Sequence, residues 1–261
     1  MAFLKATVRS RVLEMDTGLC LVLPHDHPTT HNGDTAPGAG KLLYLLHGMG
    51  ENCEAWTRFS RAERYAYEKG VTLVMPEVQR SFYRDMAYGP RYFTYITEEL
   101  PEICRDMFGL DTSRENSYIA GLSMGGYGAL VCALSYPERY RGCASFSGAV
   151  DIHYVAEVLA RDEHITELRA TIGTDLLITA QMDIWRLAEK AAKLPTNEQP
   201  ELFLTCGEQD FLYDCNRRLH AHMQQLGLTH EYRTWAGVHE WGFWDESLKQ
   251  ALAWFFPAGC A

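Results

Sequence analysis

The stretch SYIAGLSMGGYGAL, residues 117–130, places a serine between two glycines in the pattern G-x-S-x-G. An apolar run precedes Ser123 and a run of small residues follows it, which predicts a strand that passes directly into a helix. Bulky side chains two residues to either side would collide in so sharp a turn, and Gly121 and Gly125 remove that collision. The turn would lift the hydroxyl above the carboxyl edge of a sheet, where open α/β sheets bind ligands. We therefore predict that Ser123 is a nucleophile, rather than an incidental serine in a glycine-rich turn.

Strand-like and helix-like segments alternate along the rest of the chain. Apolar and β-branched runs predict an opening hairpin of VRSRVLEM (8–15) and LCLVLP (19–24), followed by strands in KLLYLLHG, VTLVMPE, SYIAGL, RGCASFSG, ELFLTCGE and HEYRTWAG. Helical patterns cover roughly 55–69, 94–108, 124–135, 215–226 and 245–256, and three of them end near a glycine suited to a left-handed cap: Gly70, Gly109 and Gly227. Strands separated by helices predict an α/β fold with a mainly parallel, eight-stranded sheet covered on both faces.

Two regions depart from this alternation. Residues 25–40 are rich in Pro, Gly, Thr and His, which predicts an exposed loop. Residues 149–198 separate the sixth and seventh strands and contain extra helices, one of which has Val155 and Leu159 on its apolar face. So long an excursion is unusual for a simple connection. We expect a single domain over residues 1–261, with a cap inserted at 149–198.

The composition argues against several classes of partner. Twenty-four Lys and Arg residues against 34 Asp and Glu residues give a formal charge of −10, whereas nucleic acids and anionic membranes require clustered cations. No apolar run has the length of a membrane span, and the first residues lack the apolar region of a secretory signal. Eight cysteines without any C-x-x-C pair favour buried thiols in a reducing compartment. We expect a cytoplasmic protein that acts on a neutral small molecule, as a monomer or a homo-oligomer.

A serine hydroxyl is a poor nucleophile until a base takes its proton. In this type of fold the basic histidine comes last in the chain. His239 directly follows the last predicted strand and is the only histidine after it. His220 and His222 lie within a predicted helix, which favours surface or packing roles. His47 closes a strand before a glycine, which favours a structural hydrogen bond.

The acid that orients His239 should follow the next-but-one strand after Ser123. Asp210, in GEQDF, is the first choice, and Glu208 and Asp214 are its rivals. Its carboxylate would fix the imidazole tautomer and stabilise the imidazolium that forms during attack. The chain order of serine, acid and histidine is stronger support than any one of these positions alone.

A tetrahedral intermediate also needs backbone N–H donors aimed at its oxyanion. Met124 would begin the helix after Ser123, where the helix dipole favours negative charge. The second donor should come from the loop in LLYLLHGMGENCEAW, where Met49 is the first choice and Gly48 the alternative. A metal site at His25, His27 and His31 is disfavoured by their polar loop.

Aromatic residues gather near the predicted site loops, and Trp56, Tyr92 and Trp241 are our candidates for substrate contact. Flat rings can stack on sugar faces or wall an acyl pocket. Ordinary core packing is the alternative for each single ring. Cys206 ends a strand near the predicted site, but no basic pattern surrounds it, which favours a buried thiol over a nucleophile.

With these residues identified, the chain resembles the esterase D-like branch of the α/β-hydrolases, in particular the bacterial group of tributyrin, acetyl and feruloyl (cinnamoyl) esterases. The segments that carry the resemblance are LLYLLHGMGENCEAW, SFYRDMAYGPRYFTYITEELPEIC, GLSMGGYGAL, CGEQDFLYDCN and HEWGFWDESL. The resemblance implies an α/β-hydrolase fold and a serine carboxylesterase with a Ser123–Asp210–His239 triad and no cofactor. It implies short-chain acyl esters as substrates, with acetylated sugars and feruloyl esters among the candidates.

The resemblance leaves other activities open. The same branch includes enzymes similar to S-formylglutathione hydrolase, so thioester hydrolysis is an alternative, and some relatives are acyltransferases. A catalytically silent binding protein is a further alternative. It is disfavoured because every group that catalysis requires is present in the expected order.

Overall fold

A computed structural model describes residues 1–24, 36–161 and 165–257 of the chain. Its strands are β1 (Ala2–Arg9), β2 (Asp16–Leu23), β3 (Leu42–Leu46), β4 (Thr72–Pro76), β5 (Ser117–Leu122), β6 (Gly142–Phe146), β7 (Glu201–Gly207) and β8 (His230–Trp235). Its helices are α1 (Ala55–Phe59), α2 (Ala62–Lys69), α3 (Tyr92–Thr94), α4 (Leu100–Phe108), α5 (Met124–Ser135), α6 (Ile152–Arg161), α7 (Ile165–Ile172), α8 (Ile184–Ala191), α9 (Tyr213–Gln225) and α10 (Trp241–Phe255). A π-helical turn, Tyr95–Glu99, joins α3 to α4, and a 3-10 turn, Arg114–Asn116, precedes β5.

The eight strands form one sheet in the order β1-β2-β4-β3-β5-β6-β7-β8. Strands β3 to β8 run parallel, whereas β1 and β2 pair antiparallel with their neighbours. The carboxyl ends of β3, β5, β6, β7 and β8 therefore meet at one edge of the sheet. This arrangement confirms the predicted mainly parallel eight-stranded sheet.

The central strands are buried on both faces. In β3, Leu42, Tyr44 and Leu46 pack into one apolar cluster, and Leu43 and Leu45 pack into another. This alternation follows from the two-residue period of a strand. Helices α4, α5, α8 and α9 contribute to the first cluster, and α1, α2 and α10 contribute to the second. Continuous apolar runs are typical of parallel strands covered by helices on both sides.

The predicted boundaries near the start of the chain were partly wrong. The hairpin exists, but β1 ends at Arg9, so most of the stretch predicted as its first strand (8–15) is the turn into β2. This turn is held by Glu99, a buried carboxylate that accepts hydrogen bonds from the Ser10 hydroxyl and the next two backbone N–H groups. The apolar side chains of the turn reflect tertiary packing rather than pairing between strands.

Most predicted helices are present, with one break. The stretch predicted as one helix over 55–69 is divided at Ser60, whose backbone is extended. The predicted left-handed caps are confirmed at Gly70, Gly109 and Gly227, with φ of +72°, +64° and +69°. Among the described residues, no helix is both long enough and apolar enough to cross a membrane.

The excursion between β6 and β7 has two different parts. Helix α6 borders a cavity above the sheet edge, and α7 contacts the loop before α3 through backbone hydrogen bonds from Ala87 and Tyr88. Helix α8 instead packs against α5 and α9, within the helix layer of the core. Of the predicted loop at 25–40, residues 25–35 lie outside the described part, and with them His25, His27 and His31.

Candidate active site

Ser123 sits at the turn between β5 and α5 in a strained backbone conformation, with φ of +53° and ψ of −117°. A Cβ added at Gly121 would lie 2.5 Å from the backbone of Gly125, and one added at Gly125 would lie 2.5 Å from the Leu46 carbonyl oxygen. Neither position can carry a side chain without moving backbone atoms. The two glycines of the sequence pattern therefore have the steric role that the pattern predicts.

The structure brings His239 and Asp210 to Ser123 from two other strand ends. His239, in the loop after β8, has Nε2 3.0 Å from the Ser123 Oγ and Nδ1 2.8 Å from the Asp210 Oδ2. Asp210 follows β7, is only 5% exposed, and accepts a second hydrogen bond from the Leu212 N–H at 2.9 Å. A carboxylate can only accept, so Nδ1 carries the proton and Nε2 is free to accept the Ser123 hydroxyl proton.

The rival acids lie elsewhere. Glu208 is exposed, and its backbone N–H donates to the Trp235 carbonyl oxygen. Asp214 is an exposed residue in the first turn of α9, where it pairs with Arg217. Neither makes a hydrogen bond to His239 in the described part of the chain.

The other candidate histidines have structural surroundings. His47 is buried, with Nδ1 2.8 Å from the Gly48 carbonyl oxygen and Nε2 accepting the Val78 N–H at 3.2 Å. Burial lowers the pKa of His47, which keeps this ring neutral between its two backbone partners. His220, within α9, has its Nδ1 2.8 Å from His230 Nε2. His47 therefore supports the end of β3, as the sequence predicts.

The loop after β3 and the first residue of α5 both reach the cavity beside Ser123. Met49 and Met124 both line the cavity together with Ser123. Met124 is the first residue of α5, so its N–H has no partner within the helix. The Gly48 N–H already donates to Glu51 Oε2 at 2.9 Å, which favours Met49 over Gly48 as the second oxyanion donor.

Glu51 is the charged group closest in sequence to this donor. Its burial raises the pKa of the carboxyl group, while the Gly48 N–H, the Trp241 side chain and the charge of His239 act in the opposite direction. Glu51 therefore fixes the loop by accepting the Gly48 N–H, although burial disfavours the charged form of its carboxyl group. No local sequence pattern predicts this role for Glu51.

The cavity beside Ser123 has a volume of about 270 Å³. Its walls are mostly apolar and are formed by Met49, Phe82, Ser123, Met124, Ala149, Tyr154, Val155, Val158, Leu159, Phe211 and Leu212. Helix α6 supplies four of these residues on one face. The Phe211 ring lies 4.7 Å from the His239 ring and is 57% exposed, which places it at the rim.

The three aromatic residues predicted to contact substrate do not border this cavity. Trp56 is buried in the core, with its Nε1 donating to the Leu46 carbonyl oxygen at 3.0 Å. Tyr92 is fully buried. Trp241 packs edge-on against Trp56 with ring centroids 5.2 Å apart. Tertiary packing therefore places Trp56 and Tyr92 in the core, and Trp241 is partly buried against one of its apolar clusters.

The aromatic residues that line the cavity are instead Phe82, Tyr154 and Phe211. Phe211 could have been found from the sequence because it directly follows Asp210. Tyr154 and Val158 share one face of α6 at a spacing of four residues. Phe82 has a left-handed φ of +52°, and no sequence signal marks it.

Other reactive groups near the site have no catalytic geometry. Burial raises the pKa of the Cys206 thiol, which disfavours a thiolate nucleophile there. Within the described ranges, no group of three or more His, Cys, Asp or Glu side chains is arranged to hold a metal ion.

Known proteins share this fold and these segments. A family model described as "Putative esterase" matches residues 10–255. An acetyl esterase from Caldicellulosiruptor saccharolyticus is 30% identical over 267 residues, covering 97% of this chain and 98% of the relative. A fluorophosphonate-binding serine hydrolase of Staphylococcus aureus, 29% identical, superposes with a TM-score of 0.86 over 98% of this chain and 99% of the other. An S-formylglutathione hydrolase of the same species, 28% identical, has a TM-score of 0.83 and 98% coverage of both chains.

The family match and the acetyl esterase relative both extend over nearly the whole chain. The two structural neighbours superpose on nearly the whole of this chain and therefore share its α/β-hydrolase fold. The chain therefore belongs to this esterase family and is a carboxylic ester hydrolase.

Proposed function

We propose that the protein hydrolyses short-chain acyl esters through an acyl-enzyme on Ser123. The observation that carries this proposal is the hydrogen-bonded chain from the Ser123 hydroxyl through His239 to the buried Asp210, at the mouth of an apolar cavity. The similarity to an acetyl esterase over almost the full chain supports the same substrate class.

In the acylation step, the Ser123 Oγ attacks the acyl carbonyl carbon while His239 Nε2 takes the hydroxyl proton. Asp210 stabilises the imidazolium through its bond to Nδ1. The backbone N–H groups of Met124 and Met49 would receive the oxyanion, and removal of one such donor typically costs a factor of about 10²–10³ in kcat. The imidazolium then gives its proton to the leaving alcohol as the C–O bond breaks.

In the deacylation step, water attacks the ester carbon on Ser123 and His239 takes one of its protons. Collapse of the second tetrahedral intermediate releases the carboxylic acid and returns the proton to the Ser123 oxygen. An alcohol in the place of water would give acyl transfer, so product analysis separates hydrolysis from the acyltransferase alternative.

The cavity sets the class of acyl group. A water molecule occupies about 30 Å³ of liquid, so a cavity of about 270 Å³ holds an acyl chain longer than acetyl as well as acetyl itself. Each additional buried methylene contributes about 0.8 kcal/mol, or about fourfold in binding. We infer that kcat/KM rises from acetyl to butyryl, and that helix α6 is the part of the 149–198 cap that covers the acyl chain.

Thioester hydrolysis is the second candidate, because an S-formylglutathione hydrolase is among the structural neighbours. Glutathione carries two carboxylates and one ammonium group, so its recognition calls for a cation close to the site. Among the described residues, no Lys or Arg lines the cavity, and Glu51 adds negative charge nearby. The lack of a cation in the described cavity wall and the nearby carboxyl group of Glu51 favour neutral oxygen esters over S-formylglutathione as substrates.

The test is hydrolysis of p-nitrophenyl acetate, butyrate and octanoate, and of S-formylglutathione, by the native protein and by Ser123→Ala. We expect turnover of acetate and butyrate that the variant loses, with S-formylglutathione the poorer substrate. Ser113→Ala, an exposed serine near the 3-10 turn, serves as the matched control and should keep full activity. Native protein that turns over none of the esters, or a Ser123→Ala variant that keeps its activity, contradicts the proposal.

A further inference from the structure

Two cysteine thiols lie side by side, one on a strand of the sheet and the other in the loop that carries Met49. The Sγ atoms of Cys20, on β2, and Cys53, just before α1, are 3.8 Å apart. Cys20 is buried and Cys53 is partly exposed. We propose that these two cysteines form a reversible disulfide bond, and that this bond moves the loop of residues 47–54, which we name the oxyanion loop.

The geometry allows the bond after a small movement. A disulfide has an S–S distance of about 2.05 Å, so the two sulfur atoms must approach by roughly 1.8 Å. Gly18 leaves space beside Cys53, since a Cβ added there would lie only 3.2 Å from the Cys53 Sγ. The partner strand is fixed within the sheet, so the oxyanion loop is the segment that moves.

The surroundings favour a thiolate at Cys20, whereas the hydrogen bond between the two thiols, together with burial, raises the pKa of Cys53 and keeps that partner a thiol. The hydrogen bond from the Cys53 thiol lowers the pKa of Cys20, and the nearby Lys5 ammonium acts in the same direction, against burial and the carboxylates of Glu54 and Glu77. Lys5 forms an ion pair with Glu54, which keeps this cation beside the oxyanion loop. By contrast, burial raises the pKa of five other thiols: Cys104, Cys132, Cys143, Cys206 and Cys215. Thiolate character decides which cysteines are oxidised first.

Formation of the disulfide from two thiols requires a two-electron oxidant, and we propose a hydroperoxide for this role. The Cys20 thiolate attacks hydrogen peroxide, the O–O bond breaks, and a sulfenic acid and hydroxide form, the latter protonated to water. The Cys53 sulfur then attacks this sulfenic acid, the S–S bond forms, and the thiol proton leaves with the hydroxyl as a second water. Two thiols are oxidised and one hydrogen peroxide is reduced to two waters. A dithiol reductant reverses the bond by exchange.

The bond would act on the site through the backbone. Cys53 follows Met49 by four residues, and its N–H donates to Glu77 Oε2 at 3.0 Å. At the other end of the loop, the Gly48 N–H donates to Glu51. A displacement of Cys53 pulls on the short segment between these two anchors. Since a misplacement of about 1 Å can cost a factor of 10² in rate, we expect a lower kcat in the oxidised protein. This consequence for activity rests on the proposed function, whereas formation of the bond does not.

The experiment treats the full, reduced protein with a small excess of hydrogen peroxide and follows intact mass, peptide maps and p-nitrophenyl butyrate hydrolysis. We expect a loss of two hydrogens, a Cys20–Cys53 cross-linked peptide, and a kcat that falls at least fivefold and returns with dithiothreitol. Methionine sulfoxide adds one oxygen and does not return with dithiothreitol, so it is separated from the disulfide. Cys20→Ser and Cys53→Ser should each prevent both the cross-link and the reversible loss, whereas Cys215→Ser should keep both.

Each other outcome counts against the inference. Absence of the cross-linked peptide overturns the proposed bond, whether or not the protein turns over esters. A cross-link that leaves kcat unchanged overturns its coupling to the oxyanion loop. A reversible loss that persists in both Cys20→Ser and Cys53→Ser assigns the effect to other thiols.

Discussion

The turn around Ser123 and the wall formed by α6 border the same cavity, but they are built in different ways. The turn is held by the sheet, since the Ser123 N–H donates to the Phe146 carbonyl oxygen at 2.9 Å and the Ser123 carbonyl oxygen accepts from Ala149 at 3.0 Å. Helix α6 is attached by side chains, through the Asp151–Arg218 ion pair at 2.8 Å and a 3.5 Å contact between the Tyr154 hydroxyl and the Phe211 carbonyl oxygen.

We infer that the turn around Ser123 determines the rate of the reaction, whereas the α6 wall determines which acyl groups are preferred. Backbone strain and close glycine contacts restrict the position of the nucleophile, as covalent chemistry requires. The α6 wall offers apolar surface, where one methylene changes binding by only about 0.8 kcal/mol. Substitutions in the turn and its partners should therefore abolish activity, whereas substitutions in α6 should redistribute it among substrates.

The largest effect is expected at Asp210. Asp210→Asn keeps the shape of the side chain but stabilises the wrong tautomer of His239, so kcat should fall by about 10⁴. The measurement is p-nitrophenyl butyrate turnover for the native protein, Asp210→Asn and the control Asp214→Asn. A comparable loss of kcat in Asp214→Asn, or no loss in Asp210→Asn, would show that Asp210 is not the acid that orients His239.

The next effect is on folding, at Gly121. A Cβ there meets the Gly125 backbone at 2.5 Å, so Gly121→Ala should lower the free energy of unfolding by roughly 3 kcal/mol. Gly50→Ala is the control, because no atom of the described residues lies within 4 Å of a Cβ at that position. Urea denaturation of both variants checks this, and equal midpoints would mean that the turn is less crowded than its geometry indicates.

At Glu51 we expect smaller effects in opposite directions: substitution should raise stability and lower kcat. Burial raises its pKa, so the contribution of this carboxyl group to stability is fully present below the ordinary glutamate pKa of about 4.3 and is lost as pH rises through the folded-state pKa. Glu51→Gln should therefore raise the free energy of unfolding at pH 7, and this gain should shrink as pH falls toward 4. Its kcat should drop about fivefold, because a neutral acceptor holds the Gly48 N–H less tightly.

Urea denaturation at pH 7 and pH 4 tests the predicted gain in stability, and the kinetics of p-nitrophenyl butyrate hydrolysis test the predicted loss of kcat. Glu68→Gln, an exposed residue of α2, is the control and should change neither quantity. A Glu51→Gln variant that is less stable at pH 7, with unchanged kcat, would remove the residue from the account of the oxyanion loop.

The smallest effect is expected on the α6 wall. Val158→Ala removes apolar surface from the cavity, so kcat/KM for p-nitrophenyl octanoate should fall about fourfold while that for acetate stays constant. Glu157→Ala, on the exposed side of the same helix, should change neither value. Equal losses on acetate and octanoate would indicate that α6 supports the catalytic groups as well as the acyl chain.

The contrast between the Ser123 turn and the α6 wall also explains which features of the structure can be predicted from the sequence. The fold and the convergence of Ser123, Asp210 and His239 follow from local rules, since periodicity places the strands and glycine spacing places the turn. The cavity walls depend on how helices pack, which no local pattern encodes. Helical spacing predicts that Val155 and Leu159 share an apolar face, and both line the cavity. Trp56 and Tyr92 are instead buried in the core, and no local pattern indicates Phe82.

The central claim is that Ser123 forms a covalent acyl-enzyme with its substrate, and a fluorophosphonate tests it most directly. Attack by the Ser123 Oγ on phosphorus expels fluoride and leaves a stable adduct that peptide mapping locates. We predict one adduct per chain, on the peptide that contains Ser123, with complete loss of esterase activity and no labelling of Ser123→Ala. Labelling at another residue, or inactivation that Ser123→Ala still undergoes, would contradict the account.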